Sequence, residues 1–105
     1  MTDLEITRLC AEAMGLPVFV DAFGTMCLEE RDVDNNREYD PLHDDAQAMA
    51  LVKKMRMSVM FYPEIDGRKA EWWRVDGCPP SNVTTRHADL NRAICECIAK
   101  MQAAK

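Results

Sequence analysis

Metal or nucleophilic chemistry in this chain would have to rest on two histidines and five cysteines, and their spacing supports neither. His43 and His87 stand apart, and the cysteines fall at positions 10, 27, 78, 95 and 97. A zinc centre takes four nitrogen or sulfur ligands, usually from closely spaced pairs. No C-x-x-C is present, and two residues apart on a helix, Cys95 and Cys97 would project about 200° from one another. Small buried thiols are the expected role, since the count is odd and no disulfide framework is indicated. A Cys–His pair forms only in space, and nothing marks any of the five as an activated thiol. Asp32-x-Asp34-x-Asn36 begins like a calcium loop, but Arg37 stands where that loop needs glycine and His43 where it needs glutamate. No G-x-S-x-G, phosphate loop or dinucleotide fingerprint occurs. The chain is therefore expected to be no enzyme, with no catalytic residue, metal or cofactor.

Binding chemistry is better represented. Glu29, Glu30, Asp32, Asp34, Glu38 and Asp40 form an acidic stretch suited to a protein partner, although carboxylate-rich loops are commonly just solvated. The run Arg68-Lys69-Ala70-Glu71-Trp72-Trp73-Arg74 interleaves cations with indoles, a pattern that can track and stack single-stranded nucleic acid or hold a small ligand. Arg68, Lys69, Trp73 and Arg74 are its candidate contacts. Neighbouring strand residues face opposite ways, so one tryptophan must face the core, and helices on both faces would bury both.

The elements that position these residues follow from periodicity and caps. Thr2-Asp3-Leu4-Glu5 reads as a capping box and Gly15-Leu16-Pro17 as a stop, which predicts a helix over 3–14. Val18-Phe19-Val20 is β-prone, and Ala22–Leu28 is a second strand candidate weakened by Gly24. Residues 29–40 read as a loop or hairpin tip. Asp44 and Asp45 begin a second helix, about 43–55, with basic residues at its end and Leu42, Ala46, Met49, Ala50 and Lys53 on one face, Leu51 and Val52 widening the apolar side. A strand over 57–62 is expected to stop at Pro63. Asp66-Gly67 predicts a tight hairpin turn, with the return strand over 68–75. Asp76–Pro80 is a break, and Ser81–Thr85 leads into a final helix over 86–103. There Leu90, Ile94, Cys97, Ile98 and Met101 make a stripe. Most of the eight methionines, including Met49, Met55, Met57, Met60 and Met101, are expected to fill core gaps or sheet positions.

One hundred and five residues at 48% apolar content bound the rest. They describe a single α+β domain over 1–105 with a small, mainly antiparallel sheet packed with three helices, in the order α-β(β)-α-β-β-α. Loops fall at 29–41 and 76–85. No apolar run is long enough to span a membrane, and the acidic start is unlike a signal peptide. Residues 1–50 carry three basic and twelve acidic residues, and residues 51–105 carry ten and six, balances of −9 and +4 that sum to −5. The overall sign disfavours nucleic acid.

The run Tyr39-Asp40-Pro41-Leu42-His43-Asp44-Asp45-Ala46-Gln47-Ala48 resembles the phage ABA sandwich domain family of small phage and prophage proteins. A strand tryptophan (Trp72 or Trp73) and the final helix start Asp89-Leu90-Asn91-Arg92-Ala93-Ile94-Cys95 extend the resemblance over about 39–103. It implies a sheet sandwiched by helices with both tryptophans buried, and it carries no catalytic motif. The expectation is a non-enzymatic phage or prophage accessory protein in a bacterial cytosol, acting by binding a host or phage protein. In sharper form it inhibits a host defence system through its acidic surface. The alternative is the nucleic-acid or small-ligand reading of strand 68–74. An unpaired edge strand leaves a homodimer open.

Overall fold

In the computed structural model, described for residues 1–29, 38–78 and 81–105, the first two of three helices start where the sequence places their caps. Helix α1 spans Asp3–Met14. The Thr2 hydroxyl accepts the Glu5 amide at 3.1 Å, and the Glu5 carboxylate accepts the Thr2 amide at 3.2 Å, so two otherwise unpaired donors are satisfied. Gly15 closes the helix in the left-handed region, φ 69°, a conformation glycine adopts without steric cost. Helix α2 spans Asp45–Met55 behind Asp44, whose carboxylate accepts the Gln47 amide at 3.0 Å. Helix α3 spans Leu90–Ala103 behind Asp89.

Strands β1 (Val18–Val20) and β2 (Met26–Leu28) form one antiparallel pair. Strands β3 (Ser58–Ile65), β4 (Arg68–Asp76) and β5 (Thr84–His87) form a second antiparallel sheet in the order β3-β4-β5. Asp66 and Gly67 both have positive φ, 51° and 78°, the two-residue turn whose twist matches a hairpin. The architecture is the expected α+β domain, a small antiparallel sheet packed with three helices.

Four local expectations differ from the structure. Pro63 does not end β3. The strand runs on to Ile65 through a register shift between Tyr62 and Glu64, and a bulge on an edge strand tolerates a residue without an amide proton. Strand β5 occupies residues read as the approach to the last helix, which starts at Leu90 rather than 86. The buried face of α2 centres on Ala48 and on Leu51, with Val52 and Met55 beside them, so Leu51 and Val52 of the expected apolar side face the core whereas Ala46 and Met49 do not. Met49 is outward, 41% exposed, and Met60 holds its expected sheet position on β3 but is 49% exposed, whereas Met26 and Met57 are in the core.

Helix α3 is the centre of the fold. Ala93, Ile94, Cys95, Cys97, Ile98 and Ala99 are all buried on it. They meet Ile6, Cys10 and Ala11 of α1, Leu51 of α2 and Val75 of β4. The Thr85 hydroxyl donates to the Ala93 carbonyl and fastens β5 to α3. Arg92 pairs with Asp3 at the helix starts, and Gln102 meets Glu12 at the ends, so α1 and α3 run parallel. Asn91 bonds Asp45 at 2.8 Å and brings the start of α2 to the same end. Three positive dipole ends therefore converge, and Asp3, Asp44, Asp45 and Asp89 offset them. Three of the twelve acidic residues in 1–50, Asp3, Asp44 and Asp45, are explained by this arrangement.

Beyond β5 the sheet continues as a two-stranded ribbon. Strand β5 pairs with β4 only from Trp73 to Asp76, so among the described residues no third strand lies beyond Phe61 and Trp73. The Cα radius of gyration is 14.8 Å, above the roughly 13 Å usual for this length, and the longest axis is 52 Å against 28 and 23 Å.

Candidate functional site

The acidic end is built by the segment 38–44, the start of α1 and the β1–β2 hairpin. Glu38 pairs as a single bridge with Cys27 and is exposed. The Gln47 side chain holds this segment in a defined line, because its Nε2 donates to the Glu38 carbonyl at 3.0 Å while its Oε1 accepts the Asp40 amide at 2.7 Å. His43 Nδ1 lies 2.8 Å from Asp40 Oδ2. The hydrogen bond to Asp40 and that carboxylate's charge raise the His43 pKa, with Asp3 and Asp89 adding to the effect. A cleft of about 310 Å³ lies between these elements. Asp3, Glu38 and Asp40 line it together with Leu4, Met26, Tyr39 and Leu42. Burial holds the Tyr39 hydroxyl protonated, with the Cys10 and Cys95 thiols reinforcing the effect.

Of the acidic candidates, Glu38 and Asp40 come together here, and Glu29 follows β2 with its amide bonded to the Pro17 carbonyl at 2.9 Å. Glu30, Asp32 and Asp34 lie outside the described residues. Among the described residues, no group of three or more histidines, cysteines or acids is placed to hold a metal ion, and no helix is long and apolar enough to cross a membrane.

The second candidate surface is the ribbon. Neither tryptophan is buried, contrary to what the family resemblance implies; both are partly exposed. The reason is that the helices cover the β5 half of one face, and the ribbon outruns them. Trp73 lies against Phe61 with ring centroids 4.7 Å apart. On the opposite face Trp72 stacks on Tyr62, also at 4.7 Å, with the Arg86 guanidinium 5.2 Å from the indole centroid. Trp72 is thus approached by Tyr62 and by Arg86 from within the protein, which competes with nucleobase stacking. Lys69 pairs with Glu71 at 3.6 Å and Arg74 with Asp76 at 3.2 Å. Arg68 is exposed beside the turn. Over residues 58–76, three cations (Arg68, Lys69, Arg74) face four carboxylates (Glu64, Asp66, Glu71, Asp76), a balance of −1, the wrong sign for tracking phosphates.

Sequence reading missed three contributors. Arg86 was hidden because β5 was unrecognised, although Thr84-Thr85 is β-prone. Gln47 looked like an ordinary helical residue. Phe23 passed as part of a weak strand, although Asp21 and Gly24 flank it as turn residues. Comparison with family models, curated proteins and solved structures finds no match for this chain.

Proposed function

We propose that this protein is a non-enzymatic protein-binding module that takes a basic partner on its acidic end. The observation that carries the reading is the cleft at that end. It combines an apolar lining (Leu4, Met26, Leu42) with the Glu38 carboxylate and with Asp3 and Asp40, which Arg92 and His43 contact, a mixture that receives a lysine or arginine stem and its charged head. The likeness of residues 39–103 to small phage proteins supports a phage or prophage accessory role in a bacterial cytosol. In its sharper form the partner is a host defence protein with a basic groove, where carboxylates stand in for phosphates. Capture from phage-infected lysate by tagged protein tests this. One stoichiometric basic partner is expected, lost when Glu29 and Glu38 are both changed to lysine. Undiminished capture by that variant would remove the acidic end from the interface.

A second reading places a small ligand or single-stranded nucleic acid on strand 68–74. The partly exposed Trp72 and the exposed Arg86 favour it, and the internal stacking and charge balance weigh against it. Tryptophan quenching by oligonucleotides at low salt would revive it, and an unchanged signal would eliminate the nucleic-acid form.

A further inference from the structure

Among the described residues the most exposed large apolar side chain is Phe23, at 93%. It sits at the tip of the β1–β2 hairpin, and its backbone is fixed. The Asp21 Oδ1 accepts the amides of Phe23 and Thr25, each at 2.9 Å. The Asp21 amide donates to the Thr25 carbonyl at 2.9 Å, and the Gly24 amide donates to the Asp21 carbonyl at 3.1 Å. Gly24 has φ 79°, which closes this tight turn without Cβ strain. A fully solvated phenyl ring contributes nothing to this fold, whereas a pre-positioned aromatic loses little conformational freedom on docking. Gly24, Thr25 and Met26 form the hairpin side of the acidic cleft, so Phe23 directly precedes the residues that wall it.

We propose that Phe23 is the apolar anchor of the partner interface, and that the occupant is a lysine- or arginine-rich protein segment carrying an apolar residue beside its cation. The cation enters the cleft toward Glu38, beside the Asp3 and Asp40 carboxylates that Arg92 and His43 already contact, and the apolar residue packs on the Phe23 ring. Charge complementarity selects this occupant over an anionic membrane or nucleic acid, since both would meet carboxylates at the same rim. The proposal rests on the protein-binding reading above and adds its apolar half.

The test uses three labelled nine-residue peptides, alternating lysine–leucine, lysine–serine and glutamate–leucine, titrated by fluorescence anisotropy into the full chain. The lysine–leucine peptide should bind at least tenfold more tightly than either control. Phe23→Ala, a surface change whose fold is checked by an unchanged melting curve, should lose at least fivefold in affinity and keep the salt dependence. Glu38→Lys should lose affinity and flatten the salt dependence. Equal affinity of Phe23→Ala and the parent chain overturns the anchor and leaves the acidic reading standing. Equal binding of the lysine–serine peptide does the same. No binding by any peptide, together with Glu38→Lys indifferent in lysate capture, removes both. Binding to phosphatidylcholine vesicles that Phe23→Ala abolishes, with no peptide bound, would replace the protein partner by a lipid surface.

Discussion

Arg92, in the first turn of α3, reaches Asp3 in the first turn of α1 at 2.9 Å and also holds Glu96 at 2.9 Å on its own helix. One guanidinium thereby ties together the starts of two parallel helices whose aligned dipoles repel at close range. The pair is 31% and 60% exposed, so its effect is that of a screened surface network. Arg92→Ala should cost about 0.5–1 kcal/mol. The double-mutant coupling with Asp3→Ala should stay below about 1 kcal/mol and shrink in salt. Chemical denaturation at low and high ionic strength measures both, and a salt-independent loss of several kcal/mol would mean that Arg92 acts through packing instead.

His43 gives a pH signature. Its folded pKa lies above the usual 6.5 because of Asp40, with Asp3 and Asp89 contributing, while Glu38 and Asp44 border the same recess. A raised value means that the protonated ring favours the fold. That contribution is complete below the unfolded value near 6.5 and disappears as pH rises through the folded value. Proton NMR titration should place the ring midpoint above 6.5, and Asp40→Asn should return it toward 6.5. A parent midpoint at or below 6.5 would contradict the Asp40 contact.

The five thiols should divide sharply. Cys78 is exposed, and Cys10, Cys27, Cys95 and Cys97 are buried. Burial and then the Asp76 charge push Cys97 up to about 11. Against an ordinary 9.0 that lowers the thiolate fraction about a hundredfold. The contact with Cys10, together with burial, raises Cys95 as well. Brief iodoacetamide treatment at pH 8 followed by peptide mapping should label Cys78 and leave the others until denaturant is added. Rapid labelling of Cys95 or Cys97 in native protein would show that α3 opens readily.

Glu71 has φ 46° in the middle of β4, across from the register shift between Tyr62 and Glu64. A left-handed residue with a side chain stores roughly 1 kcal/mol or more, and its pairing with Lys69 is too exposed to offset this. Glu71→Gly should therefore be neutral or slightly stabilising, within about 1 kcal/mol, because relieved strain opposes added chain entropy. Glu71→Val should destabilise by about 1–2 kcal/mol, since a branched Cβ fits that region worst. Thermal melts should rank glycine above valine, the reverse of strand propensity.

The helices and the main hairpin were legible because their signals are local. Thr2 with Glu5, Gly15, Asp44 and Asp66-Gly67 each dictate backbone geometry within four residues. Strand β5 was not legible because only Thr85 of its four residues is buried, leaving no alternation to read. Its partner β4 and its anchor Ala93 are set by tertiary contact. Pro63 misled for a related reason, since a proline ends a strand unless an edge bulge absorbs it, and edges are defined only once the sheet exists. The carboxylates of the candidate site were visible in composition. The Gln47 clasp that aligns Glu38 and Asp40 was not, nor was the projection of Phe23, because each depends on where a neighbouring segment lies.

The ribbon beyond β5 has a thermodynamic consequence. Its strands are closed by the Tyr62–Trp72 and Phe61–Trp73 ring contacts, with neither a third strand nor a helix behind the tip among the described residues, and two strands alone are marginal in water. The end from Tyr62 to Trp72 is thus a separate cooperative unit, able to melt and re-zip while Val75 and the α3 core stay shut. Amide hydrogen exchange should show two tiers, rapid along the tip and as slow as global unfolding around Val75 and Ile94.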